Sequence, residues 1–174
     1  MARYRWVGSG ESAALFALSE AGGTLRDLGT LAVPDPEAVC RAELRVEGPG
    51  GAWAARFASL VYDEPSGLFW DGAGLLLVAY GLHLWALDAR SGELRWSRRS
   101  GSPLLAVLGS SRLDHVLLQS EIETVALRSD GSVAWRIAHG EVLVGAELVG
   151  GRLVLTTYRG QHLAFDPATG RSTQ

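Results

Sequence analysis

The side chains able to do chemistry in this chain of 174 residues are few and scattered. Its four histidines, His83, His115, His139 and His162, show no HxxxH spacing, whereas a metal ion needs several ligands converging at about 2 Å. They read as strand-edge or loop residues. Asp63 and Glu64 in VYDEPSG are adjacent carboxylates of the kind general acid–base catalysis uses, but Pro65 beside them makes a solvated turn the simpler reading. Ser9 in GSGES lacks the strand-to-helix turn that exposes a nucleophilic serine, and no phosphate-cradling glycine loop or dinucleotide fingerprint occurs. Cys40 is the single cysteine, so neither an internal disulfide nor a cysteine-based zinc cluster is expected. No catalytic, metal or cofactor set emerges, and the balance is against an enzyme.

Charge narrows the partners further. The net charge is -3, and the 16 cationic side chains are all arginine and spread along the chain. General nucleic-acid binding needs clustered positive charge to displace phosphate counterions, so it is not expected. Two segments offer a binding surface instead. In LRWSRR, Arg95 and Arg99 share one face of a strand, with Trp96 and Arg98 on the other, although a solvated edge whose charges resist unwanted pairing is the plainer reading. The stretch from Pro34 to Gly51, with Cys40 and Arg41, reads as an insertion, either of the kind that carries recognition on a rigid sheet or a merely tolerated loop. The first residues, MARYRWVGSGES, lack an apolar signal core, and GLLLVAYGLHLWAL is too short and interrupted to span a membrane. The expectation is a cytoplasmic protein with no membrane partner.

The elements that must position these residues repeat. LWALDARSGELRW, TVALRS-DGSVAW and HLAFDPATGRST align on Gly92, Gly131 and Gly170, which recur every 39 residues. Ahead of each glycine lies an alanine (Ala86, Ala126, Ala164), preceded by a strand-like run, and after Gly92 and Gly131 comes a short alternating strand. The glycine suits the positive φ of a tight turn, and Ser91, Asp130 or Thr169 beside it can bond locally to the backbone. Trp96 and Trp135 stand four residues beyond their glycines and read as wedges between adjacent sheets. A period near 40 residues fits four-stranded propeller blades.

Ala86, Leu87, Asp88, Gly92 and Trp96 form A-L-D-x-x-x-G-x-x-x-W, which resembles the tryptophan-docking motif of PQQ-like (quinoprotein-type) β-propellers. The resemblance covers residues 70 to 174. The second copy has Arg128 in place of the aspartate but keeps Gly131 and Trp135, and the third keeps Asp166 and Gly170 without the tryptophan. Quinone-dependent dehydrogenases of this family carry a calcium site with asparagine and carboxylate ligands. This chain has no asparagine, so the resemblance implies the fold without the cofactor.

The expected fold is all-β, a small or partial β-propeller of about four blades in one domain, with an irregular first blade at 12–66 and repeats at 67–101, 102–139 and 140–174. RYRWVGSG matches LRWSRRSG, which predicts that the N-terminal strand closes the last blade. LFALSEAGGTLR also matches LWALDARSGELR at another offset, leaving open an incomplete propeller or a ring shared by two chains. The function this predicts is that of a non-catalytic scaffold binding another protein, in the manner of a bacterial accessory or immunity-type protein. The alternative is small-molecule or carbohydrate binding or hydrolysis at a central channel.

Overall fold

The computed structural model describes residues 2–8, 15–18, 27–30, 39–48 and 51–173, with side chains placed for 39–47 and 52–173. These residues form sixteen strands in four sheets, with a 3₁₀ turn at Asp71–Ala73. The chain divides into two compact units, Met1–Arg99 and Ser100–Gln174.

The first unit holds two sheets. One contains β1 (Ala2–Gly8), β2 (Leu15–Leu18), β3 (Asp27–Thr30), β4 (Cys40–Gly48) and β5 (Gly51–Ser59) in the order β2-β1-β4-β5-β3, with β3 parallel to β5 and the rest antiparallel. The other is the antiparallel meander β6 (Ser66–Trp70), β7 (Leu75–Tyr80), β8 (His83–Asp88) and β9 (Leu94–Arg99). Strand β4 alternates, with Ala42, Leu44 and Val46 buried and Arg41, Arg45 and Glu47 exposed, because one face meets the core and the other meets water. Strand β7 is buried at every position, as its unbroken LLLVAY suggests. Leu44, Val46, Trp53, Phe57, Val78, Trp85 and Leu87 join the two sheets into one core. The Phe57 and Trp85 rings lie 4.9 Å apart at a tilt of 52°.

The second unit repeats the plan. An antiparallel meander of β10 (Leu104–Leu108), β11 (Val116–Ser120), β12 (Glu123–Leu127) and β13 (Val133–Ala138) is followed by β14 (Leu143–Val149), β15 (Arg152–Thr157) and β16 (His162–Phe165). Leu117, Ala126, Leu143, Leu153 and Leu155 form its buried core. Beyond β16 the backbone makes one further bridge, Phe165 to Ser172.

Two expectations are corrected. The N-terminal strand pairs with β2 and β4, running from Arg3 opposite Glu47 to Gly8 opposite Ala42, and so does not supply the outer strand of the last sheet. An antiparallel ladder of six residue pairs outweighs the short Arg-Trp match that suggested otherwise. Nor is the stretch from Pro34 to Gly51 a loop over Cys40–Gly48, which is strand. Its second half is β4, paired on both sides, while Pro34 to Ala38 lie outside the described residues, as do Ser9 and the second half of LFALSEAGGTLR.

Candidate functional site

Two tryptophans sit against glycine turns. In the first unit the Trp53 ring, fully buried, lies on Gly92, and its Nε1 donates to the Ala89 carbonyl at 3.2 Å. In the second, Trp135 lies on Gly170 and donates to the Ala168 carbonyl at 3.1 Å. A Cβ on Gly92 would stand 2.5 Å from Trp53 Cε3, and one on Gly170 would stand 2.7 Å from Trp135 Cε3. Both glycines also have positive φ, 73° and 72°, so the turn and the ring each require them. The repeat does not mark Trp53, because Pro49 stands four residues before it, where Trp96 and Trp135 have Gly92 and Gly131. Trp96 lies in β9 opposite Ala86, as Trp135 in β13 lies opposite Ala126.

The turn residues bond as their types suggest. Ser91, Asp130 and Thr169 each accept the N–H two residues on, from Glu93, Ser132 and Arg171 respectively. Asp88 Oδ1 accepts from the Arg90 and Ser91 amides, and Oδ2 takes Arg95 Nη2 at 2.7 Å. Burial disfavours the Asp88 carboxylate, but the bonds from Arg95, Ser91 and Arg90 outweigh it and hold its pKa below the ordinary value. Asp166 repeats the cap, accepting from the Ala168 amide and the Thr169 hydroxyl. Where the second copy has Arg128 instead, Asp130 takes the Ser132 amide, and its hydroxyl too, which lowers its pKa. Arg95 and Arg99 share the exposed face of the edge strand β9, with Arg98 half-buried. Arg95 is already engaged by Asp88.

The histidines are separated and each has its own structural partner. His83 stacks on Trp85 at 5.3 Å, and burial, then Arg99, lower its pKa. Buried His115 places Nε2 at 2.8 Å from the Pro167 carbonyl, which requires the proton on that nitrogen. His162 meets Thr156 Oγ1 at 3.3 Å. His139 joins a buried chain: Gln119 Nε2 donates to the Ser120 and Glu123 carbonyls, and Thr124 Oγ1 donates to Gln119 Oε1. With its only proton spent there, Thr124 Oγ1 must accept from His139 Nε2 at 2.7 Å. Burial lowers the His139 pKa against the opposing pull of Glu123. Among the described residues no group of three or more His, Cys, Asp or Glu could hold a metal.

Asp63 Oδ2 accepts the Gly81 amide at 2.7 Å and Oδ1 accepts that of Glu64, which caps the turn between β7 and β8. Burial is the larger influence on Asp63 and raises its pKa against these bonds.

The arrangement that sequence reading missed lies at one end of the second unit. Ile122 and Val142 are each 46% exposed and Tyr158 is 80% exposed. They stand on three different connections, β11–β12, β13–β14 and β15–β16, which the backbone stitches together. The Leu143 amide donates to the Glu121 carbonyl at 2.7 Å, His139 to Ile122 at 2.8 Å, and Tyr158 to Val142 at 2.8 Å. Glu121, Glu141 and Arg159 border the patch, the last two 3.9 Å apart. In the first unit Tyr62, 86% exposed, occupies the corresponding β5–β6 connection.

Antiparallel sheets of this kind are those of a partial β-propeller, and comparison with solved structures shows that fold. BamB from Moraxella catarrhalis superposes with a TM-score of 0.58 at 20% identity, over 95% of this chain and 56% of that one. The C-terminal WD40 domain of Sif2 gives 0.57 at 14% identity over 80% of this chain and 42% of that one, and the computationally designed Ika8 protein gives 0.58 at 11% identity over 78% and 45%. The chain thus spans about half the length of the structures it resembles. No protein-family model matches it, and no characterised protein matches it in sequence. Among the described residues no helix is long and apolar enough to cross a membrane.

Proposed function

We propose that this protein is a non-catalytic recognition module built from PQQ-like propeller repeats, which binds another protein through the turns at one end of its sheets. The observation that carries the reading is the cluster of Ile122, Val142 and Tyr158. Apolar side chains on connections should be dispersed if they serve only to link strands, yet these three are gathered on turns held by inter-turn hydrogen bonds. A stiff frame presenting an aromatic and two aliphatic groups loses little entropy on binding, and tyrosine and arginine are the types that dominate protein interfaces. The two indole rings seated on glycine turns support the repeat assignment. The exposed Arg95 and Arg99 face of β9 is a secondary surface within the same reading, with Arg98 at its margin.

The test is site-directed photo-crosslinking in the cells that make the protein. A photoreactive residue at position 158 should yield one discrete protein adduct, and the combined changes Ile122→Ser and Val142→Ser should abolish it. Absence of an adduct, or an equal yield from the exposed position 130 at the other end of the same unit, would refute the reading.

A further inference from the structure

The other end of the second unit carries a different feature. The connection between β10 and β11 and the tight β14–β15 turn flank a pocket of about 440 Å³, lined by Gly109, Ser110, Arg112, Leu113, Leu148 and Gly151. We propose that this pocket binds a carboxylate carried on an apolar group, with Arg112 gripping the carboxylate and Leu113 and Leu148 receiving the apolar arm.

The lining divides by chemistry. Leu148 is half-buried and packs against the core of the unit, and Leu113 is half-buried beside it, so the floor is apolar and backed by rigid structure. Gly109 and Gly151 carry no side chains, and a Cβ on Gly151 would meet nothing within 4 Å, so the wall there is open. The polar groups gather on one side. Ser110 and Arg112 belong to one turn, held by the Leu113 amide on the Ser110 carbonyl at 3.1 Å and the Arg112 amide on Ser110 Oγ at 3.3 Å. Ser110 Oγ therefore accepts locally and retains its own proton to donate. No salt bridge to Arg112 occurs among the described residues. Arg152, exposed at the start of β15, follows Gly151 directly, while the carboxylate of Asp114 is not part of the lining.

A guanidinium fork and a hydroxyl proton above an apolar floor match a carboxylate on an apolar stem better than a neutral sugar, which would leave the cation unmatched, or a divalent metal, which it would repel. The volume lies within the range of small-ligand pockets, about 300–1,000 Å³. A free hydrophobic acid and the C-terminal residue of a protein share this chemistry. The inference does not depend on the Tyr158 surface, which lies at the opposite end of these strands.

The test is titration of the intact chain by calorimetry with acetyl-Gly-Ala-Leu as the free acid, its carboxamide and acetyl-leucine. The free-acid peptide should bind, and the carboxamide should bind about 10- to 100-fold more weakly, the span expected for losing hydrogen bonds to a charged group. Arg112→Gln should lose a similar factor, and Arg112→Lys, which keeps the charge without the fork, should lose less. Arg112 is exposed, so an unchanged melting curve separates lost binding from lost folding. Binding of acetyl-leucine as tight as that of the peptide points to a free acid, and preference for the peptide points to a protein C-terminus. Equal binding of acid and carboxamide, undiminished binding by Arg112→Gln, or no binding of either acid at millimolar concentration overturns the proposal. An adduct at position 158 that survives Arg112→Gln keeps that outcome distinct from the fate of the proposed protein-binding surface.

Discussion

Replacing Gly92 by alanine tests the contact on which the first unit closes. Two costs add. An L-residue held at φ 73° loses about 1–2 kcal/mol relative to glycine. The new methyl would also stand 2.5 Å from Trp53 Cε3, inside any tolerable carbon–carbon approach, so the indole must move. Trp53 is 1% exposed and its Nε1 holds the Ala89 carbonyl. Displacing it stretches a buried hydrogen bond and disturbs close packing, together about 2–3 kcal/mol. The expected loss is thus about 3–5 kcal/mol, against an ordinary domain stability of about 5–15 kcal/mol. The control is Gly74→Ala, since Gly74 has φ 63° but nothing within 4 Å of a Cβ, leaving the conformational cost alone. In thermal melts followed by circular dichroism, Gly74→Ala should lower Tm by roughly 2–8 °C and Gly92→Ala by at least twice as much. Trp53→Leu combined with Gly92→Ala should cost less than the two changes summed, because the smaller side chain leaves room for the methyl. Equal losses from Gly74→Ala and Gly92→Ala, or strict additivity of the pair, would refute the steric account.

Trp135→Ala should destabilise the protein by about 2–4 kcal/mol, measured by urea unfolding, with Trp135→Phe recovering part of the loss but not the bond to Ala168. Burial lowers the folded-state pKa of His139, so the stability tied to its neutral form is complete above the unfolded value of about 6.5 and is lost as pH falls through the folded value. Between pH 7 and pH 5, Tm should therefore fall more steeply for the wild type than for His139→Gln, while His83, shifted in the same direction, retains some slope in both. Asp88→Asn keeps acceptors for the turn amides but removes the charge opposite Arg95, and should cost only about 0.5–1 kcal/mol in chemical denaturation, the pair being half-exposed. Tyr158→Ser should leave stability within about 0.5 kcal/mol by the same measurement, because its ring is 80% exposed.

The repeated features were legible because each is local. An alanine in a strand, a turn glycine and a polar residue beside it all act within a few residues, and Ser91, Asp130 and Thr169 make their bonds over a span of two. The patch at Ile122, Val142 and Tyr158 was not legible. In the sequence these are three unremarkable residues on separate connections, brought together only by the hydrogen bonds between Leu143 and Glu121 and between Tyr158 and Val142. Arg112 and Leu148 likewise become one pocket only when β10 and β14 share a unit.

By itself the sequence determined the strand-and-turn unit and the need for glycine at positions 92 and 170, since alternation and positive φ follow from covalent geometry. Tertiary structure decided which edge the N-terminal strand would join, and that Trp53 would be the ring covering Gly92. The physical reason is competition. A strand edge or an apolar turn accepts any partner that fits it, and the choice among distant segments is made by the total burial and pairing each arrangement achieves, which no single stretch of sequence contains.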